Sequence, residues 1–193
     1  MSSLVLTGDT SGTVTVAAPA VAGSNTLTLQ AATATSSVNV LSTAVASTSG
    51  TSIDFTALPS WVKRITVMFN GVSLSSTANI LVQLGTGATP TYTTSGYIST
   101  ANGCSAGGNS VVTSTAGFIL FDQLAAGIVS GHMIITNISG NIWVSSNTAK
   151  RATDLVGFGA GDVALAAVLT AVRITSTSTD TFDAGSINIL YEG

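Results

Sequence analysis

The side chains that could do chemistry are few and scattered. The one histidine, His132, sits in GHMII, residues 131–135. Nucleophilic catalysis would need it beside a hydroxyl or thiol and a carboxylate, and its apolar neighbours read instead as the start of a strand. The one cysteine, Cys104, cannot close an internal disulfide. It falls in NGCSAGGN, residues 102–109, a loop composition with no adjacent base to activate a thiol. Asp154, Asp162, Asp180 and Asp183 offer oxygens to a hard cation, but the alternating carboxylate spacing of a calcium loop is missing. GFGAGD, residues 157–162, has the glycines of a phosphate cradle without the lysine-bearing helix that completes one, so it reads as a turn. Gly-x-Ser-x-Gly, His-Glu-x-x-His and paired-cysteine patterns do not occur. These residues point to a protein that is not an enzyme, with no catalytic residue, no metal site and no cofactor.

Aromatic rings are the remaining candidates, because a ring face stacks on the apolar C–H surface of a sugar. Tyr92 and Tyr97 lie in residues 85–109, the longest loop-like stretch, rich in Thr, Ser, Gly and Asn. That composition suits an adaptable ligand-binding loop. The alternative is that both tyrosines pack between copies of the chain in an oligomer.

Positioning these groups falls to a chain of 193 residues, enough for one compact domain plus an arm. Only 7% of residues are charged, against about 25% in ordinary soluble domains. Hydrophobic residues make up 45%, which excludes disorder by low hydrophobicity and high charge. Thirty Thr and 26 Ser supply the polar surface instead. Hydroxyls are wetted but repel little, so a homo-oligomer is expected. Net charge is −3, and the basic residues are Lys63, Arg64, Lys150, Arg151 and Arg173. They are too few to neutralise a phosphate backbone, so nucleic acid is not expected as a partner. No apolar run approaches the ~18 residues of a spanning helix, and MSSLVLTGDT at the start lacks the basic and apolar regions of a signal peptide. Membrane insertion is therefore not expected either.

Between Asp9 and Asp54 the chain carries no charge. Within that stretch, Val14 and Val16 alternate with Thr, as do Leu27 and Leu29, giving two short strand patterns. Pro19 and Val21 lie in the connector, where proline turns the preceding residue away from helix. Residues 1–46 read as an extended assembly arm, with Val14, Val16, Pro19, Val21, Leu27 and Leu29 as its contact residues. From Ile53 strand-like runs follow at short intervals. Residues 64–69 place Ile65, Val67 and Phe69 on one face, and residues 79–84 set Ile80, Val82 and Leu84 against Asn79, Leu81 and Gln83. Further runs fall at 117–121, 133–137, 141–145, 162–169, 172–175 and 186–191. VKRIT at 62–66 and VRIT at 172–175 look alike and would suit neighbouring strands. The expected fold is all-β: the arm, then an antiparallel β-sandwich of jelly-roll type over residues 47–193.

Three blocks carry a resemblance. GTVTVAAPAVAGSNTLTLQAAT, residues 12–33, resembles a segment found near the N-termini of tailed-bacteriophage virion proteins, with Gln30 where that pattern has proline. IDFTALPSWVKRITVMFNGVS, residues 53–73, and DTFDAGSINILYE, residues 180–192, are similar to blocks in phage and prophage structural proteins. The resemblance implies a virion location, synthesis in a host bacterial cytoplasm, a homotrimer, and other virion proteins of tail or capsid as partners. It implies an arm that docks on the particle and an outward sandwich, as a short tail fibre or receptor-binding protein, with a host surface glycan as the possible ligand. The alternatives are a capsid decoration protein and a free-standing glycan-binding module.

Overall fold

The structure, a computed structural model, describes residues 3–7, 13–17 and 38–193 apart from residue 126. The chain divides into two compact units, Met1–Ser36 and Ser37–Gly193. In the first, β1 (Ser3–Thr7) and β2 (Thr13–Ala17) pair antiparallel, from Ser3↔Ala17 to Thr7↔Thr13. The alternation at Val14 and Val16 thus forms a strand, whose backbone partner is the preceding stretch of the same chain. Pro19, Val21, Leu27 and Leu29 lie outside the described residues.

The second unit starts with three short strands, β3 (Asn39–Leu41), β4 (Val45–Ala46) and β5 (Ser52–Phe55). There follow β6 (Arg64–Leu74), β7 (Ile80–Thr86), β8 (Thr91–Tyr92), β9 (Ile98–Ser105), β10 (Gly108–Ser114) and β11 (Phe118–Leu120). The last five are β12 (Val129–Ser139), β13 (Ile142–Arg151), β14 (Leu155–Ala164), β15 (Leu169–Ser176) and β16 (Phe182–Glu192). Among the described residues there is no helix. The larger sheet runs β10-β9-β14-β13-β12-β6-β16-β3, with β4 also against β16, and the smaller runs β11-β7-β15-β5, with β8 on β7. Every pairing is antiparallel, as the sequence led us to expect. Because β3 and β4 pair with β16, residues 38–46 belong to the sandwich and not to the arm that composition assigned them to.

The winding shows in the pairings. β6 and β16 are neighbours in the larger sheet, β7 and β15 in the smaller, and β9 and β14 again in the larger. Nested pairs alternating between two sheets are the winding of a jelly roll. The next pair inward, β12 and β13, does not cross over; it stays between β6 and β14 and widens the larger sheet.

Alternation assigns the faces. Ile65, Val67, Phe69, Met133, Ile135, Ile187 and Ile189 of the larger sheet are buried in one cluster with Ile80, Val82, Leu84, Phe118, Val172 and Ile174 of the smaller. Each such side chain stabilises the fold by about 1.5–3 kcal/mol relative to exposure. A second cluster, Leu81, Ala101, Ile119, Phe121 and Leu155, covers the other face of β7. Both faces of that strand are therefore buried along most of its length.

Three expectations are corrected. The stretch 162–169 is not one strand: β14 ends at Ala164 and β15, in the other sheet, begins at Leu169, with the chain turning a corner between them. The glycines at 157–162 are not a turn but the middle of β14. Their alternate positions face inward, where a Cβ on Gly159 would stand 2.7 Å from the Thr100 carbonyl oxygen and one on Gly161 2.7 Å from that of Ile98. The look-alike stretches 62–66 and 172–175 fall in different sheets, so they are not neighbours.

Gly159→Ala should therefore destabilise the sandwich by about 1–3 kcal/mol. Ala160→Ser, at the next, exposed position, should change stability by less than about 0.5 kcal/mol. Denaturant unfolding of the two variants beside the parent checks this.

Candidate functional site

The smaller sheet separates the two tyrosines that composition placed in one binding loop. Residues 85–109 are not a loop but largely β8, β9 and the start of β10. Tyr97 is 1% exposed and belongs to the core. Its hydroxyl accepts the Leu84 backbone N–H at 2.8 Å, and its ring meets Phe118 edge-on, centroids 5.0 Å apart. Burial pushes the hydroxyl pKa up to about 12.

Tyr92, in β8 opposite Gly85, lies on the other side of that sheet. Its ring rests on Gly85, where a Cβ would approach within 2.9 Å. The Arg173 guanidinium stands over it, 3.9 Å from the centroid. Arg173 in turn donates to both oxygens of its cross-strand neighbour Asp54, from Nε at 2.8 Å and from Nη2 at 2.7 Å. Asp54 is thus paired with Arg173. The stack is worth about 0.5–2 kcal/mol, and a partly exposed ion pair at most about 1 kcal/mol. Burial, then the Asp54 carboxylate, raise the Tyr92 hydroxyl pKa to about 12. Arg173 thus covers a ring surface that would stack on a sugar.

The other chemically capable side chains stay apart. His132 is exposed on β12 between Thr148 and Met68 of the flanking strands. The Cys104 thiol donates to Asn102 Oδ1 at 3.3 Å. Asp154 pairs with Arg151 at 2.7 Å. Asp180 caps its own turn, accepting from the Ser178 hydroxyl at 2.6 Å and the Ala78 N–H at 3.0 Å. Among the described residues, no three His, Cys, Asp or Glu side chains converge as metal ligands.

One titratable group went unremarked in the sequence. Asp122 follows β11 and is fully buried, both carboxylate oxygens without a hydrogen-bond partner among the described residues. Burial raises its pKa to about 7; the Arg151 guanidinium opposes the rise, and the Asp154 and Asp183 carboxylates add to it. Arg151 Nη1 donates to the Asp122 carbonyl oxygen, which fixes the backbone here.

Among the described residues, the outer face of the larger sheet is an uncommitted surface. Ile98 (71% exposed), Val111 (61%), Val156 (52%) and Phe158 (51%) project from β9, β10 and β14. Register places Val111, Asn102, Phe158 and Thr148 in one row and Thr113, Thr100, Ala160 and Ser146 in the next. Beside Phe158, the small side chains of Thr100 and Ala160 leave a depression of about 650 Å³ that Ile98, Val144 and Asp162 also line. Sequence reasoning missed this face because it could not bring β9, β10 and β14 side by side.

Comparison with protein-family models, curated proteins and solved structures finds no match to the chain.

Tyr97→Phe should cost about 1–3 kcal/mol of stability, because the buried Leu84 N–H loses its acceptor; a loop tyrosine would show no such loss in thermal unfolding. For Asp122 the folded pKa lies above the unfolded value of 3.8, so the native state holds the extra proton. Its contribution to stability therefore falls as pH rises from about 4 to about 7. Asp122→Asn should match the parent near pH 4 and exceed its Tm by about 5 °C at pH 8.

Proposed function

We propose that the chain is a non-enzymatic structural protein of a tailed-bacteriophage particle, its N-terminal segment docking on the particle and its sandwich facing outward. The observation that carries this reading is the uncharged segment 12–33, with its resemblance to virion arms. The division of the chain into two compact units at Ser37 supports it: the segment belongs to a unit other than the sandwich. Within that class the reading is a short tail-fibre or host-attachment protein. A second reading, capsid decoration, gains from the tyrosines. With Tyr97 in the core and Tyr92 packed on Gly85 and stacked by Arg173, the aromatic argument for a sugar ligand is weakened.

Deleting residues 1–36 tests the docking role. The truncated chain should keep its thermal unfolding transition and fail to join particles assembled in its presence. Incorporation equal to that of the full chain would overturn the proposal. Extending the deletion to residue 46 should also lower Tm, because it removes β3 and β4 from β16.

A further inference from the structure

We propose that the outer face of the larger sheet packs against the same face of a second copy of this chain, around a two-fold axis lying in the face and across the strands. The proposal does not depend on the particle in which the chain works.

The surface is complementary to itself. Phe158 and Ala160 are neighbouring outward residues on β14, and the depression lies over Ala160 and its cross-strand neighbour Thr100. An axis passing between the rows of Phe158 and Ala160 reverses the strand direction of the second copy. It therefore seats Phe158 of each copy over Ala160 of the other, where the small side chains leave room.

The same operation satisfies the charges. Across the centre of the face, Phe158, Thr148, Ala160, Ser146, Thr100 and Asn102 carry none. Lys150, on β13, stands at one end of the face, opposite Val156 of β14. Asp162, six residues beyond Val156 on β14, stands at the other end, about 20 Å away at the rise of a strand. The ammonium donates to the Ala152 carbonyl oxygen at 3.3 Å, and neither it nor the Asp162 carboxylate makes an ion pair among the described residues. Reversing one copy brings each Lys150 to the end that carries Asp162 in the other, on the adjacent strand. A parallel stacking would instead set like charges together.

The size is sufficient. Five strands, β10 to β12 across the sheet, span roughly 24 Å, and seven residues along them roughly 23 Å, or roughly 550 Å² in projection. Side-chain relief brings this toward the ~800 Å² per partner of a stable interface. A face that pairs with itself closes as a two-fold unit, so the building block is a dimer in place of the threefold ring that analogy suggested.

Sedimentation equilibrium of the full chain at low salt tests this, with thermal unfolding confirming that each variant folds. The parent should be a dimer. Phe158→Lys, at an exposed position, should leave a monomer at the same concentrations. Lys150→Asp should weaken dimerisation about tenfold or more, since the symmetry repeats the repulsion twice. Adding Asp162→Lys should restore it to within about threefold of the parent. A monomeric or trimeric parent, a dimer indifferent to Phe158→Lys, or a double swap that fails to restore affinity would overturn the proposal.

Discussion

A strand shows alternate side chains to opposite faces, and in this sandwich the smaller sheet can cover only one face of the larger. Much of the rest follows from that. The inward rows of β6, β12 and β16 meet β7 and β15 in one apolar cluster. The outward rows of adjacent strands are left as one continuous surface. An ordinary domain would dress such a surface with charge, but this chain has eight acidic and five basic residues in all. Several of them are occupied locally: Arg173 with Asp54, Arg151 with Asp154, and Arg64 with Glu192 at 3.4 Å. What remains on β9, β10 and β14 is mostly hydroxyl, amide and hydrocarbon, with Asp162 the one carboxylate on these strands, a surface suited to packing.

Close approach inside the sandwich explains the glycines. β14 is placed against β9 and β13 with carbonyl oxygens and small side chains where its inward Cβ atoms would go, so Gly159 and Gly161 are required by space. The same scarcity of bulk leaves the outward residues, Phe158 above all, as the side chains that give the strand its character. A phosphate loop and a tightly packed strand both call for glycine, and only the register tells them apart.

Legibility followed side-chain bulk. β6, β7, β12, β13 and β16 stood out because Ile, Val, Phe and Trp alternate along them. β9 and the middle of β14 did not, because their inward residues are Ser99, Ala101, Gly103, Gly157, Gly159 and Gly161, a composition that also makes turns. The arm boundary was set late because Val40 and Val45 sit in strands too short to show a period. Tyr97 could be recognised as aromatic but not as buried, since its partner, the Leu84 N–H, is a backbone group. Asp122 gave no sign in the sequence at all: one carboxylate among eight acidic residues, distinguished only by what packs over it.

A charge-poor sandwich joined to an uncharged segment, residues 12–33, suits the proposed place in an assembly. Quantitative mass spectrometry of purified particles, from cells that encode the chain, tests that claim most directly. The full-length chain should be present in the particles at a fixed ratio to the other virion proteins, unchanged by further purification. Its absence from particles that are otherwise complete, while abundant in the same cells, would contradict the account.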